Sequence, residues 1–260
     1  LRRILVAPDS FKGTFSAPEV AEAMGRGTDS AVGPESQIDV DRCPVADGGE
    51  GTAEVLMEAL GGRLATVPAS DPLGRPIEAG FVLLGDGETA VVETATASGL
   101  TLVGEDELDP VVASTRGTGE LLVAAAEAGA RRILLAVGGT ATSDGGRGAI
   151  EAIRSGGGLH GAELIILADV ETAFEDAAVV FGPQKGASPA EVELLTRRLI
   201  ESAHAFPRSP LGIPRTGAGG GIAGGLWATL GAEVVSGADH VLEAIDFDRR
   251  LARADRVLVG

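Results

Sequence analysis

The sequence has a single cysteine, Cys43, which excludes an internal disulfide and any cysteine-cluster metal site. Its three histidines, His160, His204 and His240, share no metal-ligand spacing. No apolar run approaches the roughly eighteen residues that a membrane span needs. The opening Leu1-Arg2-Arg3-Ile4-Leu5-Val6-Ala7-Pro8-Asp9 is too short and too quickly polar for a signal peptide, so the expectation is a cytoplasmic chain with no membrane partner. A P-loop of the form G-x-x-x-x-G-K-[ST] is absent. Positive charge is also scarce. The net charge of −17 argues against a nucleic-acid backbone or an anionic membrane surface as partner.

What is present is enough to fold. With 260 residues, 44% of them hydrophobic, the chain can bury a real core as one large domain or two small ones. Only two of its 21 basic residues are lysines, Lys12 and Lys185, and both stand beside glycine, in Phe11-Lys12-Gly13-Thr14 and Gln184-Lys185-Gly186-Ala187. A compact ammonium on a flexible stem meets a phosphate as a point charge, which the planar guanidinium fork does not. A chain that uses arginine nearly everywhere else yet keeps these two lysines marks them as phosphate ligands.

Hydrophobic patterning gives an α/β layer first. Residues 3–8 read as a buried strand, Ser16-Ala17-Pro18-Glu19 as a capping box opening a helix to about Ser30 and stopping near Gly33-Pro34, Gln37 to Arg42 as a second strand, and Gly51 to Leu60 as a second helix. Strand, helix, strand, helix predicts a parallel sheet. Residues 63–96 then hold three extended stretches, around Ala65–Val67, Ile77–Leu84 and Thr89–Thr94, separated by turn residues, which predicts an antiparallel or mixed sheet and a different subdomain. A helix over Gly119–Ala128, strands over Ile133–Val137 and Leu164–Ala168, a helix opened by Ser188-Pro189-Ala190-Glu191 with Val192, Leu195 and Leu199 on one face, and a last strand over Arg256–Val259 complete the reading.

Open α/β sheets bind ligands at the carboxyl ends of their strands. Three loops in such positions combine glycine, a hydroxyl and an aspartate: Asp9 to Thr14, Ala46 to Thr52, and Gly138 to Gly146. Glycines let backbone N–H groups approach an anion, and aspartates can hold Mg²⁺ or accept a hydroxyl proton. Asp-Gly is also the commonest turn dipeptide, so the case rests on the loops together. Ser114 to Glu120, ahead of a helix, places Arg116 and backbone amides where a carboxylate or phosphate could sit. The run Gly219-Gly220-Gly221-Ile222-Ala223-Gly224 matches G-x-G-x-x-G, but Pro210 and Pro214 occupy the place of the required preceding strand. Close helix packing or a nucleotide approach is therefore expected there, not a dinucleotide fold. Ser98 has no histidine partner for a hydrolase triad.

In order along the chain stand Asp9-Ser10-Phe11-Lys12-Gly13-Thr14, Pro44-Val45-Ala46-Asp47-Gly48-Gly49-Glu50-Gly51-Thr52, Asp71-Pro72-Leu73-Gly74-Arg75-Pro76 and Glu93-Thr94 with Ser98-Gly99-Leu100. Ser114-Thr115-Arg116-Gly117-Thr118-Gly119-Glu120, the 138–146 loop, Phe181-Gly182-Pro183-Gln184-Lys185-Gly186-Ala187 and Gly217-Ala218-Gly219 follow. From Ile4 to about Val259 this series resembles the bacterial glycerate kinases of type I. The resemblance implies ATP-dependent phosphorylation of D-glycerate, with ATP and Mg²⁺ as cofactors. It also implies two dissimilar α/β domains, a Rossmann-like (flavodoxin-like) parallel-sheet domain over 1–63 plus about 237–260 and an inserted mixed-sheet domain over about 64–236, with the active site in the cleft between them. Against the family pattern the chain is shorter between Ile153 and Leu164, where Ser155-Gly156-Gly157-Gly158 reads as a junction, and it stops at Gly260. The expectation is a shortened form, or joined pieces, of a longer chain.

By motif, the resemblance gives Lys12, Asp47 and Asp144 to catalysis, and Asp9, Ser10, Arg116, Gly117, Thr118 and Lys185 to the substrate. Gly138, Gly139, Thr140, Gly217 and Gly219 go to the nucleotide, and Asp9 and Asp47 to the metal. Phosphoryl transfer needs positioning and charge neutralisation. Lys12 and Lys185 would meet phosphate oxygens, Arg116 would clamp the glycerate carboxylate, and either Asp47 or Asp144 would take the hydroxyl proton. A non-catalytic module binding an anionic metabolite or nucleotide is the alternative. Whether the 2- or 3-hydroxyl reacts, and whether the protein is a monomer or a homodimer, stay open.

Overall fold

A computed structural model describes residues 2–33 and 38–260. Pro34 and Gln37, expected at the first helix end and the second strand start, lie outside the described residues. The chain opens β1 (Arg2–Val6), α1 (Ala17–Val32), β2 (Ile38–Arg42) and α2 (Thr52–Leu60). The antiparallel run β3 (Gly62–Ser70), β4 (Pro76–Leu84) and β5 (Thr89–Glu93) follows, then α3 (Ala95–Ser98), α4 (Arg116–Glu127), β6 (Arg132–Ala136), α5 (Arg147–Ser155) and β7 (Glu163–Leu167). After these come α6 (Ala177–Phe181), α7 (Pro189–Ala205), α8 (Ile222–Leu230), β8 (Glu233–Val235), α9 (Gly237–Ala244), α10 (Phe247–Leu251) and β9 (Arg256–Leu258).

Two sheets result, one of three strands in the order β2-β1-β9 and one of six in the order β3-β4-β5-β6-β7-β8. The first is parallel throughout, with Ile4 opposite both Val40 and Arg256. The second is mixed: β3, β4 and β5 pair antiparallel, and β5 to β8 pair parallel. Its central strands are apolar almost end to end because both faces are covered. Val92, Leu135 and Ile166 face one core with Leu121 and Leu122 of α4, Ile153 of α5 and Leu226 of α8. Their neighbours Val91, Leu134 and Leu167 face a second core with Leu56 of α2, Leu5 of β1 and Val241 of α9. The three-stranded sheet is thus packed, through α2 and α9, onto one face of the larger sheet. A Cβ on Gly237 would lie 2.6 Å from Gly48 Cα, so the backbones of the two glycines touch where the parts join.

Both capping boxes form: Ser16 Oγ accepts from Glu19 N while Ser16 N donates to Glu19 Oε2 at 2.9 Å, and Ser188 with Glu191 repeats the arrangement at 2.8 Å. Leu195 and Leu199 are buried against Phe174, as the helical stripe predicts. Three readings are corrected. The first strand ends at Val6, and Ala7 and Pro8 belong to the loop beyond it. The helix expected from Gly119 starts at Arg116, because the Asp144 carboxylate receives the backbone N–H of Thr115 at 3.0 Å and fixes the start there. The sequence reading gives no helix at α5, α6, α8, α9 or α10 and no strand at β8; in α5 and α8 internal glycines mask the periodicity, and β8, α6 and α10 are too short to show one. In α8, a Cβ on Gly224 or Gly225 would collide with Phe174 or with the carbonyl of Gly145, so that glycine run serves close packing. No strand immediately precedes Gly219; α7 and a turn-rich segment do. The Ser155–Gly158 stretch closes α5 and turns toward β7, with Gly157 and Gly158 both at positive φ.

Candidate active site

The adjacent parallel strands β1 and β2 deliver their carboxyl ends, and the loops after them, to one place. Phe11 N donates to Phe15 O at 2.9 Å and Thr14 N to Phe11 O at 2.8 Å, and Gly13 takes φ +78°, which closes a tight loop with Lys12 at its tip. Lys12 is 75% exposed and its Nζ stands 3.9 Å from Asp47 Oδ2. Asp47 is half exposed, and its other oxygen accepts from Gly49 N at 2.9 Å. An exposed pair of this kind contributes only about 0–1 kcal/mol, so both groups can exchange partners for a ligand at little cost. Asp9 accepts from Ser10 N at 2.6 Å through Oδ1, and no partner holds its Oδ2 among the described residues.

Ser10, Lys12 and Thr14 form one wall of a cleft of about 530 Å³, with Glu50, Gly51 and Glu93 opposite. Glu93 closes β5 and is only 8% exposed; its Oε1 accepts from Ala53 N, in the first turn of α2, at 2.8 Å. Burial pushes the Glu93 carboxyl above the usual carboxylate range. The amides of Ala53 and Gly51 pull it back in part, and the charges of Glu50 and Glu54 add to the rise. Sequence reasoning gave Glu93 and Glu50 no role. The available signal was an acid ending an otherwise buried strand, where a charge persists only with a partner.

A second, narrower cleft of about 160 Å³ gathers Gly138, Gly139, Thr140, Gly219 and Lys185. Lys185 is buried; its Nζ donates to Thr140 Oγ1 at 3.1 Å and to the carbonyl of Thr142. Burial brings its pKa down to about 7, against a smaller upward pull from Asp144. Thr94 Oγ1 donates to Gly138 O at 2.9 Å and accepts from Gly138 N at 3.1 Å, which fixes the start of the loop. The clefts are neighbours: a Cβ on Gly138 would lie 3.2 Å from Gly49 Cα, and one on Gly139 would lie 3.4 Å from Glu50 Oε2.

Asp9 and Asp47 line neither cleft, and neither do Arg116, Gly117, Thr118, Asp144 and Gly217. Arg116 donates from Nε to Glu120 Oε1 at 2.9 Å in the first turn of α4. Gly117 is there because a Cβ would collide with the carbonyl of Ser70, and Thr118 is buried against Ser98, hydroxyl to hydroxyl at 2.7 Å. Gly217 packs against the carbonyl of Ala173. Asp144 receives Thr115 N at 3.0 Å, Thr115 Oγ1 at 2.9 Å, Gly146 N at 3.0 Å and Gly148 N at 3.0 Å, so it ties the starts of α4 and α5 together. Among the described residues, no group of three or more histidine, cysteine or acidic side chains could hold a metal ion. Magnesium held chiefly by substrate phosphates needs only one or two carboxylates, and Asp9 and Asp47 have that chemistry. Cys43 is buried and free, its thiol pushed up chiefly by burial. Among the described residues no helix is long and apolar enough to cross a membrane.

The comparisons with known proteins agree with one another. The model of the glycerate kinase family matches residues 4–156 and 154–260. A glycerate kinase of Bacillus subtilis (strain 168) is 41% identical over 99% of this chain and 76% of its own length. A glycerate 2-kinase of Escherichia coli (strain K12) is 34% identical over 99% and 76%. A crystal structure described as glycerate kinase 2 of Salmonella typhimurium LT2 superposes with a TM-score of 0.87 at 35% identity, over all of this chain and 78% of that one.

Proposed function

The chain belongs to the glycerate kinase family, a kinase family whose chemistry implies ATP, and from that premise we propose that it transfers the γ-phosphoryl group of ATP to a hydroxyl of D-glycerate, giving phosphoglycerate. The supporting observation is the Lys12–Asp47 pair, of which Lys12 lines the 530 Å³ cleft, beside the Gly138–Gly139 loop. A mobile cation and a carboxylate with a free oxygen are what an in-line transfer to an alcohol requires from a protein. Residues 1–63 with about 237–260 would form one wall of the site, and about 64–236 the other.

In this reading Asp47 accepts the hydroxyl proton. Asp144, with four donors already on its carboxylate, keeps a positioning role. Lys12 moves from Asp47 to a phosphate oxygen. Ser10, on the wall beside Lys12, orients the acid. Lys185 holds the 138–142 segment in the shape that presents the amides of Gly138 and Gly139 to the nucleotide. Asp9 would hold Mg²⁺, which when bound neutralises phosphate oxygens.

A coupled ADP assay with D-glycerate tests the assignment. Asp47→Asn should lower kcat by about 100-fold or more with the glycerate KM little changed. An unchanged kcat removes Asp47 as the base. Arg116→Lys decides whether the guanidinium that pairs with Glu120 also clamps the glycerate carboxylate, since a clamp requires a raised glycerate KM. A ³¹P NMR spectrum of the product distinguishes 2- from 3-phosphoglycerate.

A further inference from the structure

On the far side of Asp144 lies a small cavity of about 60 Å³, between the start of α5, the face of α7 and the segment 110–114. It shares no lining residue with either cleft described above. Ser143, Ser114, Arg147 and Arg198 line it, and it lies beside a broader groove of about 580 Å³ that Arg147 and Arg198 also line.

These groups have unspent hydrogen-bonding capacity. Ser143 is only 1% exposed, yet its Oγ has no hydrogen-bond partner among the described residues. A buried hydroxyl left this way costs free energy that a ligand would return. Ser114 Oγ accepts from Arg116 N at 3.2 Å, and no acceptor among the described residues takes its own proton. Arg198 donates from Nη1 to Val111 O at 3.0 Å and has no carboxylate within ion-pair distance among the described residues. Arg147 reaches Glu151 only at 4.0 Å, with its side chain largely exposed. The acids nearby are Asp144, Glu151 and, in the outer groove, Glu201. Asp144 Oδ2 takes three of its four donors and Oδ1 the fourth, Gly146 N, so its charge is spread over groups at the starts of α4 and α5. The first amides of α5 are likewise spent on Asp144, so side chains alone would meet a ligand.

The two hydroxyls inside can donate to an anion, and the two guanidinium groups at the rim outnumber the one carboxylate, Asp144, in the lining. We propose that this cavity is a second ligand site, distinct from the kinase clefts, which takes one small oxyanion: the carboxylate or phosphate group of a small acid. Its volume admits one such group, with the rest of the acid lying in the groove. An occupant touches the loop that starts at Gly138, because Ser143 follows Thr142, whose carbonyl receives Lys185, and precedes Asp144.

The test is calorimetric titration of the whole protein with inorganic phosphate and, separately, acetate. Saturable binding of either that persists in Lys12→Ala supports the site, and which of the two then binds more tightly identifies the anion. Ser143→Ala should weaken it by about fivefold or more while leaving Tm unchanged or raised, since the substitution removes an unpartnered buried hydroxyl. The Arg147→Gln/Arg198→Gln pair should weaken it by at least about tenfold. Lys12→Ala should leave the affinity unaltered. No saturable binding of either anion, full affinity in Ser143→Ala, or loss of affinity in Lys12→Ala overturns the proposal. None of these outcomes depends on kinase activity, so the two readings stand or fall separately.

Discussion

The carboxylate of Glu93, at the end of a strand in the six-stranded sheet, accepts the backbone N–H of Ala53 at 2.8 Å, in the first turn of the helix that follows the Asp47–Gly51 loop. One buried acid therefore ties the larger sheet to the loop that carries Asp47. It also sits at the positive end of the α2 dipole, where a carboxylate is favoured.

Removing that acceptor should loosen the join. Glu93→Ala leaves the Ala53 N–H without a partner and should cost about 1–3 kcal/mol in urea unfolding. Glu93→Gln keeps an acceptor and drops the charge, so it should cost less. Because the folded-state pKa of Glu93 is raised, the folded protein holds the extra proton between the usual carboxylate range and the raised value. Its contribution to stability is full below that range and is lost as pH rises through the folded pKa. Wild type should lose stability relative to Glu93→Gln over that window, and parallel curves would show that Glu93 does not titrate there.

Lys185 has the opposite sign. Its folded-state pKa of about 7 lies below the ordinary lysine value of 10.5, so the unfolded chain binds more protons between the two. The stability of the wild type should climb relative to Lys185→Met as pH rises from about 7 toward 10.5, and fall as pH drops through 7. Denaturant unfolding across that range measures the slope, and a flat difference would mean that the ammonium is not desolvated as its burial indicates.

Asp144 and Asp47 should separate by stability. In Asp144→Asn the amide nitrogen must replace one oxygen and face at least the Gly146 N–H, which it cannot accept, so the variant should lose about 1–3 kcal/mol. Asp47→Asn, at an exposed position, should stay within about 0.5 kcal/mol of wild type. Equal stability of the two variants would contradict the positioning role of Asp144.

Gly117 offers a test of packing against ligand contact. A methyl group there collides with the carbonyl of Ser70, and Gly117→Ala should cost about 1–3 kcal/mol of stability, read as a lower midpoint in urea. A variant with unchanged midpoint and altered glycerate KM would instead assign the glycine to the substrate.

Much of the fold was legible because its signals are local. The capping boxes at Ser16 and Ser188 and the apolar runs of β5, β6 and β7 act within a few residues of themselves. Rarity was a signal as well, since it singled out Lys12 and Lys185. It could not say that one ammonium would stand in solvent and the other be buried under Thr140 and Thr142, because burial is a property of what packs above a residue. Glycine hid α5 and α8, and only the tertiary structure showed that Gly117 and Gly217 also relieve close contacts with Ser70 and Ala173.

The sequence by itself determined the α/β alternation, the helix starts, the acidic character and the set of glycine–aspartate loops, since each follows from hydrogen bonds and periodicities of neighbouring residues. Only the tertiary structure decided which aspartate keeps a free oxygen beside a cation and which is consumed in joining two helices. It also decided that Glu93 reaches from the six-stranded sheet to the first turn of α2. Those outcomes depend on residues dozens of positions apart arriving at the same few ångströms, where desolvation and competition for donors set what each charge can do.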